Sequence, residues 1–142
     1  TGASADIALA LHRIADAWAD RGLVVTIDLP DALPGAALPG PMLEAIVGSL
    51  VENSRQAGAD RVRIAATETG SEILLAVADN GPGIPDADRA RIFEPFFTSR
   101  RAAGGTGLGL PIARSLLASH GGTIALAAAE RGTRFEIRVP AA

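Results

Sequence analysis

Apolar residues recur along this chain with two different periods, and each change of period marks an element boundary. Between Ala5 and Gly22 they fall at Ile7, Leu11, Ile14 and Trp18, the spacing of one helix face, and Gly22 supplies a stop. Leu23 to Pro30 (LVVTIDLP) reads as a strand. Asp31 to Pro41 is broken by prolines and glycines and reads as a loop. A second helix is expected from Met42 to Ala57, with Leu43, Ile46, Val47, Leu50, Ser54 and Ala57 along its inner stripe. Two strands follow, Arg61 to Glu68 and Glu72 to Asp79, joined by Thr69-Gly70-Ser71. The stretch from Gly81 to about Thr106 has no regular period. A third helix is expected around Leu110 to His120, ending at Gly121-Gly122. Two last strands, Thr123 to Glu130 and Thr133 to Pro140, flank a turn at Arg131-Gly132.

The final strand alternates cleanly, with Phe135, Ile137 and Val139 against Arg134, Glu136 and Arg138. One face is buried and one is wet, as in an antiparallel or mixed sheet with helices on one side. The pattern predicts an α/β fold, a two-layer α/β sandwich, in a single domain covering residues 1–142. Composition agrees: 48% of residues are hydrophobic and 20% charged. The net charge of −3 gives no electrostatic footprint for nucleic acid or a membrane surface. There is no cysteine, so thiolate chemistry and disulfides are excluded. His12 and His120 lie too far apart in sequence for a zinc-type spacing. No apolar run is long enough to span a bilayer, and no signal peptide is visible. The chain begins at Thr1, so a piece of a longer protein is expected. Every basic residue is Arg, and a Walker A loop, which needs a Lys on the phosphates, is excluded.

Four stretches carry candidate chemistry. In VADNGPGIPD (Val77 to Asp86), alternation puts Asp79 on the same face as Ile73, Leu75 and Val77. A carboxylate ending a buried face needs a partner. An Asx-type turn would supply one locally. The alternative is a ligand at the floor of a pocket, with Gly81 and Gly83 leaving room for something flat. In VENSRQAGAD (Val51 to Asp60), Asn53 sits at the rim of the apolar stripe. It is either a surface residue or an amide oxygen for a hard cation such as Mg²⁺. In GGTGLGLPIARSLLASHGG (Gly104 to Gly122), glycines lead into a helix with Pro111 in its first turn. Such an approach offers N–H groups and the positive helix end to an anion. In RIFEPFFTSRR (Arg91 to Arg101), Phe93, Phe96 and Phe97 either pin a loop or dock a hinged lid. On a lid, Thr98, Arg100 and Arg101 would reach phosphates.

The order and content of these stretches resemble the catalytic, ATP-binding domain of bacterial sensor histidine kinases. That domain shares a superfamily with gyrase-type, heat-shock-chaperone and MutL-type ATPases. VENSRQAG looks like the N box, DNGPGI the first glycine box, IFEPFFTSR the F box and GTGLGLPIA the second glycine box. HGGTI and GTRFEIRVP are similar to the family's last two strands, and the resemblance covers nearly the whole chain. It implies a Bergerat-type ATP-binding fold: a mixed, mostly antiparallel sheet, three helices on one face and a flexible ATP lid. It implies that Asn53 ligates Mg²⁺ on the phosphates and that Asp79 accepts from the adenine amino group, with Thr133 beside it through water. Gly81, Gly83 and Ile84 would border the adenine. Phe93, Phe96, Thr98 and Arg100 would belong to the lid. Gly105, Thr106, Gly107, Leu108 and Gly109 would meet the phosphates.

The chain also departs from the family pattern. Many members carry an Asn four residues before the metal-binding one, where this chain has Ser49. Gln56 and Ala57 stand where a basic residue and a Tyr are common, which leaves Arg55 as an uncertain substitute. In the gyrase-like and MutL-like enzymes the Ser49 position holds a Glu that activates water, and Ser is no such base unaided. Glu52 is expected on the solvated side. The resemblance therefore implies phosphotransfer from ATP-Mg to a histidine outside this chain, on a dimerisation and phosphotransfer domain of the same parent. A response regulator would follow. Neither His12 nor His120 has the H-E/D-x-x-x-P setting of the acceptor, so no catalytic residue is assigned within the chain. The expected location is cytoplasmic, with no direct membrane contact and a parent free to be membrane-anchored. The competing readings are an ATPase or ATP-gated clamp, a non-catalytic nucleotide-sensing module, and a serine kinase related to the anti-sigma factors.

Overall fold

Asp6 opens the first helix by a side-chain cap: its Oδ1 accepts the N–H of Leu9 at 3.1 Å, and α1 runs Ile7–Trp18. This computed structural model describes residues 4–94, 109–129 and 131–142. The elements that follow are β1 (Val24–Asp28), α2 (Gly40–Gln56), β2 (Arg61–Thr69), β3 (Glu72–Asp79), a short 3₁₀ turn (Asp86–Asp88), α3 (Gly109–Ala118), β4 (Thr123–Ala127) and β5 (Arg134–Pro140). α2 starts at Gly40, before the expected Met42, because Pro41 suits a first helical turn. β4 stops at Ala127 and not at Glu130. Its pairing with β5 ends at Ala127 opposite Arg134, and beyond it the chain must turn back.

The strands form one sheet in the order β1-β2-β3-β5-β4. β1 pairs with β2 in parallel, and every other pair is antiparallel. The expected mixed, mostly antiparallel sandwich is therefore present. One sheet face carries Val62, Ile64, Ile73, Leu75, Val77, Phe135, Ile137 and Val139. These bury against Leu11, Ile14, Leu43, Val47, Leu50 and Leu117 of the three helices. Burying one such aliphatic side chain contributes roughly 1.5–3 kcal/mol, so this interface dominates the cohesion of the fold. The other face is polar and carries Asp28 paired to Arg63, and Arg134 paired to Glu136 at 3.1 Å. Among the described residues, no helix is long and apolar enough to cross a membrane.

The same register positions the site. β3 and β5 lie side by side, with Val77 opposite Phe135, so the end of β3 meets the start of β5. Asp79 N–H donates to the Thr133 carbonyl at 2.9 Å and extends that ladder by one bond. α2 packs over the sheet on the core side, which brings its C-terminal half above the end of β3.

Candidate functional site

Asp79 ends β3 on the core-facing side and is half-buried. Its carboxylate is held from three directions. Oδ1 accepts the N–H of Gly81 at 2.9 Å and the N–H of Thr133 at 3.1 Å. Oδ2 accepts the hydroxyl of Ser54 at 2.7 Å. The Asx-type turn expected as one reading of Asp79 exists, and it uses Oδ1 alone. A carboxylate offers about four acceptor positions. The described residues use three, and the one left lies on Oδ2.

Ser54 was expected only as a member of the inner stripe of α2. It is buried, with 5% of its surface exposed. A hydroxyl at the centre of an apolar stripe must find a partner, and that was the signal available in the sequence. Thr133 is the other buried polar residue of the described chain. It reaches Asp79 directly through its backbone N–H.

Gly132 makes that contact possible. It sits at φ +75°, and a Cβ there would run into the Asp79 carbonyl oxygen. Only a glycine lets the β4–β5 turn lie this close to the end of β3. Asn80 has a separate task. Its Oδ1 accepts the N–H groups of Asp60 and Arg61 at 3.1 and 3.0 Å, and its Nδ2 donates to Asp60 Oδ1 at 2.6 Å. It ties the glycine turn to the start of β2.

Asn53 is half-buried on the same turn of α2 as Ser54, one residue before it. The neighbouring charges are committed to one another. Glu52 accepts from Arg55 at 2.6 and 3.1 Å and from Gln56 at 3.1 Å. The hydrogen bond from Arg55 holds the Glu52 carboxyl below its usual range, against a smaller opposing effect of burial. Two consequences follow. Arg55 is engaged by Glu52 through its Nε and one terminal nitrogen. Glu52 is a weakened proton acceptor and a poor candidate base for activating water.

A cleft of about 560 Å³ opens against the glycine turn, lined by Gly81, Gly83, Ile84, Arg89, Arg131 and Gly132. Gly83 and Ile84 are half-buried there. Phe93 is held between β5 and α3: its ring meets Phe135 edge-on at 6.4 Å, and the Arg114 guanidinium lies 5.2 Å from its centre. The start of the F box is therefore anchored to β5 and α3. Gly109 opens α3, and a Cβ on it would come within 2.9 Å of the Ser49 hydroxyl. Ser49 thus faces the start of α3. Phe96, Thr98, Arg100, Gly105, Thr106, Gly107 and Leu108 lie outside the described residues. Among the described residues, no cluster of His, Cys, Asp and Glu could hold a metal ion.

Residues 40–142 match the family model of the histidine kinase-, DNA gyrase B-, and HSP90-like ATPases. The chain belongs to this ATPase family. Within it, the chain is similar to sensor histidine kinases. It is 35% identical over 123 residues to the alginate biosynthesis sensor protein KinB of Pseudomonas aeruginosa, covering 84% of this chain and 21% of KinB. The chain thus spans about a fifth of that relative's length. Among solved structures, the catalytic domain of histidine kinase ThkA superposes with a TM-score of 0.86. The match covers 99% of this chain and 96% of that one at 22% identity, and shows the shared ATPase fold. Full-length ShkA in complex with AMPPNP superposes with a TM-score of 0.84 at 27% identity, covering all of this chain and 31% of ShkA.

Proposed function

We propose that this ATPase domain binds ATP with Mg²⁺ and supplies the γ-phosphate to a histidine on another domain of its parent. The observation that carries the reading is the Asp79 carboxylate. Three donors fix it in place, and one acceptor position on Oδ2 remains for an exocyclic amino group. Gly81, Gly83 and Ile84 line the cleft at the glycine turn that follows Asp79 and would border the base. Thr133 would hold Asp79 in register from the other side. Phe93 would root the lid, and the glycines up to Gly109 would lead the phosphates to the start of α3.

The residues present suit Mg²⁺. Asn53 offers one hard amide oxygen, and no carboxylate cluster accompanies it among the described residues. Such a sparse donor set fits an ion that keeps several waters and takes phosphate oxygens. When bound, the ion would neutralise charge on the phosphates. Asn53 would be the residue that holds it there.

Transfer is favoured over hydrolysis by two features on α2. Ser49, packed at Gly109, has no carboxylate, and Glu52 is tied to Arg55 and Gln56. In the transfer, an imidazole nitrogen of the acceptor would form a bond to the γ-phosphorus. The bond from that phosphorus to the bridging oxygen would break, ADP would leave, and the imidazole would lose its N–H proton to a base on the acceptor side. This domain would contribute position and charge neutralisation. The parent would act with its phosphoacceptor domain and a response regulator, and this domain would work in the cytoplasm.

The test mixes this chain with Mg-ATP and the histidine-bearing helices of its parent. Acid-labile phosphate on the histidine is expected, and Asn53→Ala should abolish it. Steady phosphate release by the chain alone, with no transfer to a folded acceptor, would favour hydrolysis instead.

A further inference from the structure

The chain holds two asparagines, Asn53 and Asn80. Asn53 lies inside α2 and precedes Ser54. Asn80 is exposed, follows the end of β3 and precedes Gly81. An asparagine in that setting can react with its own backbone. The nitrogen of the next residue attacks the side-chain Cγ, and a glycine there puts no side chain in the way. Two features of the fold hold this reaction back. The electrophile is clamped: Asn80 Oδ1 accepts the N–H groups of Asp60 and Arg61, and Nδ2 donates to Asp60 Oδ1 at 2.6 Å. The nucleophile is engaged as well, because the Gly81 N–H donates to Asp79 Oδ1 at 2.9 Å. The attacking nitrogen must lose its proton, and a carboxylate bonded to that proton disfavours the anion that would result.

We infer that Asn80-Gly81 is a self-modification site, at which the amide of Asn80 becomes aspartate or isoaspartate when the clamp to Asp60 opens. In the first step a bond forms between Gly81 N and Asn80 Cγ. The bond from Cγ to Nδ2 breaks, and Nδ2 leaves as ammonia with the proton given up by Gly81 N. A cyclic imide remains. Water then adds to either imide carbonyl and opens the ring. One opening gives aspartate with the original backbone, and the other gives isoaspartate with an extra methylene in the backbone. Both products lack the Nδ2 donor, so Asp60 faces a carboxylate where it had a 2.6 Å hydrogen bond. The isoaspartate also shifts Gly81 along the chain and draws its N–H away from Asp79. The aspartate product thus costs the clamp alone, and the isoaspartate unseats Asp79 as well. Opening of this exposed turn, and not of the whole fold, sets the rate. The modification does not depend on the nucleotide reading of the site.

The experiment incubates the chain in mildly alkaline buffer, folded and in guanidinium chloride. It follows the tryptic peptide 64–89, in which Asn80 is the only asparagine. Amide loss is read from the change in mass, and isoaspartate from its separate elution. The unfolded chain should modify at least about tenfold faster than the folded one. Asp60→Ala removes the acceptor of Nδ2 and should speed the folded reaction about threefold to tenfold, the worth of one hydrogen bond. Its melting temperature should barely move, since Asp60 is exposed. Asp60→Asn keeps an acceptor for Nδ2 and should stay as slow as the wild type. Should Asp60→Ala fail to fold, the ratio of unfolded to folded rates in the wild type decides the matter. Equal folded and unfolded rates would overturn the protection by the fold. A folded Asp60→Ala chain no faster than the wild type would overturn the clamp. An unfolded chain that keeps its Asn80 amide would overturn the site itself.

Discussion

The Ser54 hydroxyl donates to Asp79 Oδ2 at 2.7 Å across 25 positions of sequence. This bond joins α2 to the end of β3 and ties the N box to the first glycine box. It also makes Asp79 tolerant of one substitution. In Asp79→Asn the amide oxygen can keep the two backbone N–H groups, and Ser54 can reverse to accept from the new NH₂ group. The fold should survive with a loss of about 1–2 kcal/mol. ATP affinity should fall about 100-fold or more, because a donor now faces the adenine amino group. Thermal melting and calorimetry check the two effects separately. Normal ATP binding by this variant would remove Asp79 from the site.

Gly132→Ala should be among the most damaging single changes outside the hydrophobic core. The new Cβ would strike the Asp79 carbonyl oxygen, and the positive φ strains any larger residue. Strain and overpacking together cost about 2–5 kcal/mol. Because the turn must withdraw from β3, Thr133 should lose its hold on Asp79 and nucleotide affinity should fall with stability. Denaturant unfolding measures the first effect and calorimetry the second.

Gly109 and Ser49 should behave as a coupled pair. Among the described residues, the methyl added in Gly109→Ala meets only the Ser49 hydroxyl, so the single change should cost under about 1 kcal/mol. Ser49→Ala should relieve the contact. A double-mutant cycle in urea should therefore give a coupling of about 0.5–1 kcal/mol in favour of the double variant. Additive single effects would mean that the two residues do not touch.

Glu52→Gln should change how stability depends on acid. The Glu52 carboxyl is lowered in the fold from its ordinary value of 4.5, so its pairing contributes fully above that value. The contribution fades as pH falls below 4.5 through the lowered folded value. The melting difference between wild type and variant should therefore be constant at neutral pH and shrink in acid. The pair is largely exposed, so the effect should be small and weaken in salt. Phosphotransfer should be retained, since the reading gives Glu52 no role as a base.

Much of this protein is legible in its sequence because its signals are local. The stripes at Ile7, Leu11, Ile14 and Trp18 and at Leu43, Ile46, Val47 and Leu50 are buried as the spacing predicts. The alternation of β5 gives a buried and a wet face in the same way. Period and propensity act between near neighbours, so they mark the elements, and the spacing of the boxes marks the family. Tertiary structure decided how the site is wired. Thr133 meets Asp79 across 54 positions because β5 inserts beside β3 with β4 outside it. Ser54 points at the same carboxylate because α2 crosses above that strand end. Asn80, quoted within the first glycine box, turns instead to Asp60. Arg55, which offers charge for a phosphate, also pairs with Glu52. These partners are chosen by strand order, register and helix placement. Such long-range choices leave no periodic trace in the chain, so a sequence can demand a partner for a buried Asp or Ser without naming it.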